Sequence, residues 1–199
     1  MNKNELIKMV ITKFASHPII FTTGYASRIA YLLKPEAVNH FYMVGSMGMA
    51  SAIGRGVASQ LSDNSHCPVI VDGEGALLMG LHSLVLEQEA SGKILHIIAN
   101  DASYSSTGGQ HIPVSVDYLS GFALAAGYGL VKDLNPSEES FAYELEMAAS
   151  SIKSGFSALL NCTIEPGPEP LGRIDLPLPQ IASRFNAFIE EKGSKILFL

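Results

Sequence analysis

The chain has 199 residues, 47% of them hydrophobic, and a formal net charge of −6. This length favours one domain with a substantial core, and the negative charge without a basic run argues against a nucleic-acid partner. No apolar segment is long enough to cross a bilayer and no secretory signal is evident, so we expect a cytoplasmic protein with no membrane partner. The two distant cysteines, Cys67 and Cys162, are predicted to be buried free thiols.

Apolar periodicity and turn residues predict strands that alternate with helices along the chain. The predicted strands cover residues 19–22, 41–44, 68–71, 94–99, 129–131 and 157–164. The predicted helices cover residues 5–14, 26–33, 49–61, 76–90, 117–127, 136–153 and 180–191. Residues 166–179 hold five prolines and are expected to form an extended arm before the last helix.

This alternation predicts an α/β fold with a doubly wound, mostly parallel sheet and helices on both faces. Apolar runs such as VIV and ILHIIA are typical of strands that are covered on both sides. The sequence shows no internal repeat, linker or low-complexity tract. We therefore expect residues 1–199 to form a single domain.

Glycine-rich or polar segments follow four of the predicted strands. They are Gly24, residues 45–48, residues 73–75 and Asn100. Ligands of open parallel sheets bind at the carboxyl ends of the strands. These segments are therefore the predicted ligand-binding edge.

An acid between two glycines, Glu74, follows one strand, and Asn100 follows the next. Mg²⁺ prefers hard oxygen ligands, usually one or two carboxylates together with substrate phosphates. The Glu74 carboxylate, the Asn100 amide oxygen and the backbone carbonyl of Ala102 could supply the protein's share. Gly75 and Ala76 open the next helix, so their N–H groups could bind diphosphate oxygens.

Two other interpretations compete for the Gly73-Glu74-Gly75 turn. It could be an ordinary strand-to-helix turn that contains an acid. It could also be a dinucleotide fingerprint, because Gly73, Gly75 and Gly80 loosely follow G-x-G-x-x-G. The spacing of that fingerprint is wrong by two residues, and an acid there would repel a pyrophosphate unless a cation intervened. The magnesium interpretation is therefore favoured.

Four short sequence motifs in and around this turn resemble those in the cofactor-binding half of phosphonopyruvate and sulfopyruvate decarboxylases, which use thiamine diphosphate. The motifs are residues 22–28 (TTGYASR), 44–48 (VGSMG), 72–76 (DGEGA) and 106–110 (STGGQ). Leu171-Gly172-Arg173 and the last helix also look like the end of those proteins, so the resemblance spans nearly the whole chain. One departure is that the family's usual metal-binding Asp is Glu74 here.

The resemblance implies thiamine diphosphate and Mg²⁺ as cofactors and assigns residues to them. The implied metal ligands are Glu74, Asn100 and the Ala102 carbonyl. The implied cofactor-binding residues are Thr23, Gly24, Gly45, Ser46, Met47, Gly73, Gly75, Ala76 and Asn100. Met47 would be the bulky wedge that supports the bent cofactor, although ordinary core packing is an alternative for this side chain. The Gly45 carbonyl would accept a hydrogen bond from the aminopyrimidine.

Substrate contacts are expected from the polar loop after Asn100 and from Arg28. The loop candidates are Tyr104, Ser105, Ser106 and Thr107, with Gln110 and His111 as catalytic candidates. A solvent-exposed loop, a surface arginine and an incidental loop histidine are the structural alternatives.

The family resemblance implies a decarboxylase that converts a small anionic 2-oxo acid, phosphonopyruvate or sulfopyruvate, into an aldehyde and CO₂. Such enzymes also need a pyrimidine-binding domain whose glutamate activates the cofactor. We expect a separate α subunit to supply it, which gives a hetero-oligomer. A thiamine-diphosphate carboligase subunit and a non-catalytic assembly subunit are alternatives.

Overall fold

A computed structural model describes residues 1–61, 66–88, 91–112, 117–170 and 172–193. Six strands in this part of the chain form one sheet. They are β1 (Ile19–Phe21), β2 (His40–Tyr42), β3 (Val69–Gly73), β4 (Leu95–Asn100), β5 (Leu130–Leu134) and β6 (Ala158–Thr163). The strand order is β2-β1-β3-β4-β6-β5 and every described pairing is parallel. The predicted doubly wound sheet is confirmed.

Helices cover both faces of the sheet. They are α1 (Lys3–Lys13), α2 (Tyr25–Leu33), α3 (Ala50–Ala58), α4 (Glu74–Met79), α5 (Asp117–Ala126), α6 (Glu138–Lys153) and α7 (Leu178–Lys192), with a 3-10 helix at Leu81–Glu87. No helix in the described residues combines the length and the apolar character that a bilayer crossing demands. Between β6 and α7, the described residues add only one isolated bridge, from Asn2 to Glu165.

Alternate residues of each strand point to opposite faces and build two apolar layers. Ile19 and Phe21 belong to the layer that includes α1, α2 and α6, whereas Ile20 belongs to the layer that includes α3 and α5. The same alternation divides β3, β4 and β6. Cys67 and Cys162 are buried free thiols, as the sequence predicts.

The helix predicted over residues 76–90 is wrong, because Gly80 divides it into α4 and the 3-10 helix. The cause lies elsewhere in the chain. A Cβ placed on Gly80 would lie 1.8 Å from the carbonyl oxygen of Gly48, so the two backbones are in direct contact. Gly48 itself has a φ of +94°, which favours glycine. The turn after β2 therefore packs against the end of α4.

The strand order places a topological switch point between β1 and β3. The chain moves from β1 outward to β2, and then returns across β1 to place β3 on its other side. The connections after β1 and β3 therefore diverge and leave a crevice at their carboxyl ends, where ligands of such sheets bind. Thr22 and Gly24 follow β1 at this crevice, and Glu74 follows β3.

Candidate functional site

A small cavity of about 40 Å³ lies in the crevice between β1, β3 and β4. Its lining includes Thr22, Thr23, Asp72, Glu74 and Gly75, and we call it the acidic cavity. It also brings in Gly73, Ala76, Met47, Tyr104, Ser105 and Ser106. Residues that are distant in sequence but were assigned to cofactor binding therefore meet at one point.

Glu74 is the first residue of α4 and is buried, with 3% of its surface exposed. Its Oε1 accepts a hydrogen bond from the backbone N–H of Ser103 at 2.9 Å. No described residue forms an ion pair with it. Burial, followed by the negative charge of Asp101, raises the pKa of Glu74 to about 7. The carboxyl group thus has no ion-pair partner among the described residues, and the charge of Lys3, which also lines the cavity, opposes the rise in pKa only in part.

Asn100 ends β4 and its side chain is held at both ends. The Nδ2 group donates to Oδ1 of Asn161 at 3.2 Å, and Oδ1 accepts from the Ala102 N–H at 3.1 Å. Ala102 has a φ of +56°, and its own carbonyl accepts from the N–H of Ile112 at 3.0 Å. The Glu74 and Asn100 oxygens thus bind adjacent N–H groups of one loop, but Asn100 and Ala102 do not belong to the lining of the acidic cavity. The metal-binding role of the three residues stays a prediction.

The backbone around Glu74 leaves room for a ligand. A Cβ added to Gly73 or Gly45 would meet no heavy atom within 4 Å. On Gly75, by contrast, a Cβ would lie 2.5 Å from the Tyr104 ring, so glycine is required there by packing. Thr22 Oγ1 is buried and has no hydrogen-bond partner among the described residues. Open space, an unpartnered hydroxyl and hard oxygen donors all fit a diphosphate with Mg²⁺.

Asp101 organises the loop that follows Asn100, and the sequence analysis did not identify it. Its carboxylate accepts from Lys3 Nζ at 3.1 Å and from Ser105 Oγ at 2.6 Å. Burial alone would raise the pKa of Asp101, but the hydrogen bond from Ser105 and the charge of Lys3 hold it below its ordinary value. The acid next to Asn100 was a usable signal, whereas nothing in the sequence linked Lys3 of α1 to this loop.

Asp72 and His96 support the same turn from inside the sheet. Oδ1 of Asp72 accepts from the N–H of Gly73 at 3.0 Å, and Oδ2 lies 3.3 Å from Nε2 of His96. Both side chains are buried. The turn that carries Glu74 is therefore anchored to β4 by side chains as well as by strand pairing.

The turn between β2 and α3 carries Met47, which lines the acidic cavity and a neighbouring, larger one. Gly45 and Ser46 are exposed, and Ser46 has a φ of +56°. Left-handed backbone at a non-glycine residue is uncommon. This backbone and the contact of Gly48 with Gly80 hold Met47 at the cavity.

The larger cavity has a volume of about 310 Å³ and adjoins the acidic one, since both are lined by Thr23, Met47 and Ser106. We call it the arginine cavity, because Arg28 and Arg173 both line it. Thr107 and Gly24 are also in its lining. The sequence analysis proposed Arg28, Ser106 and Thr107 as substrate contacts, but it did not include Arg173.

Gln110 and His111 lie apart from both cavities. Both residues are exposed, and neither contributes to the lining of either cavity. The Gln110 carbonyl accepts from the N–H of Tyr104 at 2.9 Å, and His111 forms an isolated bridge with Ser103. Their catalytic role stays a prediction.

Comparison with known families agrees with this geometry. A family model described as "Thiamine pyrophosphate enzyme, C-terminal TPP binding domain" matches residues 22–153. The chain belongs to this family. Every residue assigned above to cofactor, metal or catalysis lies within the match. Membership confirms the predicted cofactors, thiamine diphosphate with Mg²⁺, because the matched family is defined by binding this cofactor.

Individual relatives are decarboxylases and decarboxylase subunits. The chain is 34% identical to a phosphonopyruvate decarboxylase of Streptomyces viridochromogenes, over 86% of this chain and 42% of the relative. It is 30% identical to sulfopyruvate decarboxylase subunit beta of Methanothermobacter thermautotrophicus, over 93% of this chain and 94% of the relative. The corresponding subunit of Methanocaldococcus jannaschii is 33% identical, over 94% and 96%. These matches confirm the predicted resemblance.

The chain therefore spans less than half of the first relative and nearly all of the two β subunits. Among solved structures, a candidate thiamin diphosphate-dependent enzyme from Mycobacterium smegmatis has the same fold, with a TM-score of 0.67 and 14% sequence identity. That alignment covers 84% of this chain and 32% of the other. At this level of identity, the likeness shows the fold alone.

Proposed function

We propose that this chain is the diphosphate-binding subunit of a two-subunit, thiamine-diphosphate-dependent 2-oxo-acid decarboxylase. The observation that carries the proposal is the buried Glu74 carboxyl, which forms no ion pair with a described residue and accepts a hydrogen bond from Ser103, in the loop that follows Asn100. A buried ionised group is costly unless it is paired or binds a metal. Mg²⁺ is the proposed partner of the Glu74 carboxylate.

Different residues at the crevice would bind different parts of the cofactor. Glu74, Asn100 and the Ala102 carbonyl would hold Mg²⁺. The N–H groups of Gly75 and Ala76 and the residues after β1, Thr23 and Gly24, would hold the diphosphate oxygens. Gly73 contributes open space, because it has no side chain and no neighbour within 4 Å of an added Cβ.

The turn after β2 would shape the rest of the cofactor. Met47 would be the wedge, and the carbonyl of Gly45 would accept a hydrogen bond from the aminopyrimidine, with Ser46 between them. When bound, thiamine diphosphate supplies the electron sink that allows a 2-oxo acid to lose CO₂. This chain contributes binding, orientation and the exclusion of water from the metal side.

A second subunit completes the proposed site. Three relatives of similar length carry the name sulfopyruvate decarboxylase subunit beta, and they align over 94%, 99% and 96% of their own lengths. By analogy, an α subunit would bind the pyrimidine ring and provide the activating glutamate. The complex would convert phosphonopyruvate or sulfopyruvate into an aldehyde and CO₂ in the cytoplasm. Tyr104, Ser105 and the exposed Gln110 and His111 would face that substrate once the complex forms.

Calorimetry on the complex tests the proposal. The chain is co-expressed with a pyrimidine-domain partner and titrated with thiamine diphosphate, with and without Mg²⁺. We expect tight binding only in the complex with Mg²⁺, and CO₂ release from at least one 2-oxo acid.

Two substitutions at one position make the test specific. Glu74→Gln removes the charge at nearly constant volume, and should weaken Mg²⁺-dependent cofactor binding on the order of 100-fold. Glu74→Asp restores the family's usual residue and should retain binding. Cofactor binding that ignores both Mg²⁺ and the Glu74→Gln change would overturn the proposal and favour an assembly subunit.

A further inference from the structure

The four arginines of the chain fall into two pairs. Arg55 is buried, forms an ion pair with Glu87 and donates to Oγ of Ser157 at 3.2 Å. Arg184 donates to the carbonyl oxygens of residues 35 and 37. These two side chains are committed to holding the fold together.

Arg28 and Arg173 make no comparable structural contacts with the described residues. Neither forms an ion pair or a side-chain hydrogen bond with another described residue. The Arg28 guanidinium lies over the ring of Tyr25, whose centroid is 5.8 Å away. A guanidinium carries five N–H donors in a fixed fork, so both side chains retain most of their capacity to bind an anion.

Both free arginines line the same arginine cavity, although they are 145 positions apart in the chain. No acidic residue belongs to the described lining of this cavity, so nothing in it neutralises the two charges. Hydroxyl groups of Thr23, Ser106 and Thr107 lie in the same lining. The remaining wall is largely apolar, with Met43, Leu176 and Ile181 among its members. Cations beside a low-dielectric wall attract anions more strongly than cations in open water.

The two cavities therefore differ in charge across a shared boundary. The lining of the acidic cavity includes the acids Glu74 and Asp72 and one cation, Lys3, whereas that of the arginine cavity includes two cations and no acid. Thr23, Met47 and Ser106 form the boundary between them. A cation is complementary to the first cavity and an anion to the second.

We propose that the arginine cavity binds the distal tetrahedral oxyanion of the substrate, the phosphonate or sulfonate group of a 2-oxo acid. This inference rests on the function proposed above. Arg28 and Arg173 would bind the oxyanion, and the hydroxyl of Ser106 would add a hydrogen bond, whereas the hydroxyl of Thr107 donates to the carbonyl of Tyr104 at 3.2 Å. Two guanidinium forks and several hydroxyls offer more donors than a planar carboxylate can accept, whereas a tetrahedral oxyanion presents three oxygens.

Specificity for a charged 2-oxo acid would then reside in this chain. Arg28 is fixed on α2, directly after the turn that ends β1. Arg173 comes from the segment between β6 and α7, next to Gly172, whose φ is +76°. Two separate elements of this chain thus meet at the anion.

Steady-state kinetics of the reconstituted, cofactor-saturated complex test the inference. The variants are Arg28→Gln, Arg173→Gln and the double substitution, with Lys8→Gln as a control that removes an exposed charge outside the cavity. Each arginine variant should lower kcat/KM for phosphonopyruvate and sulfopyruvate on the order of 10- to 100-fold. For pyruvate, which lacks the distal anion, the change should stay below about threefold. Arg→Lys variants should recover part of the loss, and Lys8→Gln should change nothing.

Two results would overturn the inference while leaving the decarboxylase proposal intact. An equal loss on pyruvate would place the arginines at the shared carboxylate or in the fold. A loss of affinity for thiamine diphosphate in calorimetry would place them at the cofactor.

A separate binding experiment covers the case in which the wild-type complex decarboxylates no 2-oxo acid, which would be a failure of the proposed function. The probe is 3-phosphonopropanoate, a phosphonate without the reactive oxo group. Its binding to the wild-type complex, with loss in the double variant and retention in Lys8→Gln, supports the anion site. Equal binding to wild type and double variant contradicts it.

Discussion

Two buried glutamates, Glu74 and Glu87, show how differently the same residue can be used in two regions of this fold. Their exposures are 3% and 5%. Glu87 ends the 3-10 helix and forms ion pairs with Arg55 and with Lys93, whose Nζ lies 3.4 Å away. Glu74 at the β1–β3 crevice receives one backbone N–H and no cation. The protein neutralises Glu87 itself, whereas Glu74 has no ion-pair partner among the described residues and is the proposed Mg²⁺ ligand.

This difference is expected if Glu87 has a structural role and Glu74 has the proposed metal-binding role. Burial of a charge without a partner costs several kcal/mol, so an unpaired buried acid persists only where another requirement holds it there. Both acids are buried equally well, so burial alone would not have distinguished them. The arrangement of cations around each carboxyl does.

The largest expected effect comes from breaking the Glu87 pair. Arg55→Met leaves a buried carboxylate with only Lys93, whose side chain is 22% exposed, and should lower the free energy of unfolding by about 3–5 kcal/mol in urea denaturation. Arg28→Met is the matched control, because Arg28 has no ion pair with a described residue, and it should cost less than about 1 kcal/mol. Similar losses in both variants would mean that the Arg55–Glu87 pair is not the structural element described here.

The pH dependence of the free energy of unfolding should include a contribution from Glu74 that can be measured separately from those of the other titrating groups. Its folded pKa of about 7 lies above the ordinary value of 4.5. The folded state therefore binds the proton more tightly, and this stabilisation is complete below pH 4.5 and lost as the pH rises through 7. The metal-free chain should lose about 3 kcal/mol of unfolding free energy over this window through Glu74.

Glu74→Gln cannot titrate and provides the control for this pH series. Urea unfolding of both proteins with a chelator between pH 4.5 and 8 isolates the contribution of Glu74, since the other titrating groups are common to both. The difference between the two curves should change with pH in the stated direction. Parallel curves would show that the Glu74 carboxyl is not destabilised by burial.

Alanine substitution should lower the free energy of unfolding at Gly75, next to Glu74, but raise it at Gly56 on α3. Gly75→Ala places a methyl 2.5 Å from the Tyr104 ring and should cost about 1–3 kcal/mol of unfolding free energy. Gly56→Ala on the exposed side of α3 meets nothing within 4 Å and should stabilise by about 0.5–1 kcal/mol. Thermal unfolding of both variants measures the contrast. Stabilisation by Gly75→Ala would mean that Tyr104 moves aside without cost.

The sequence allowed the sheet, and the position of Glu74 beside the loop that follows Asn100, to be predicted because both depend on local patterns. The metal site itself stays a prediction. Apolar runs that end in Gly73-Glu74-Gly75 and in Asn100 identified two strand ends, and parallel strands bring their ends together. The order of the strands did not need to be known for this conclusion. The predicted domain of residues 1–199, with its arm, stays a prediction.

Features that depend on contacts between distant segments were not predicted. The break at Gly80 arises from the backbone of Gly48, 32 positions earlier, and helical periodicity carries no trace of it. Lys3 reaches Asp101 from another element, and Arg173 reaches the cavity of Arg28 from the segment before α7. Such pairings are decided by how the elements pack rather than by their own sequences.

The contact between Gly48 and Gly80 also constrains how this protein can change. Because the two backbones touch, the turn that presents Met47 and the helix that begins with Glu74 cannot move independently of each other. An insertion, deletion or larger residue on either side would displace the other segment and change the spacing between Met47, the proposed cofactor wedge, and Glu74, the proposed metal ligand. The two segments must therefore be inherited, or redesigned, as a single piece.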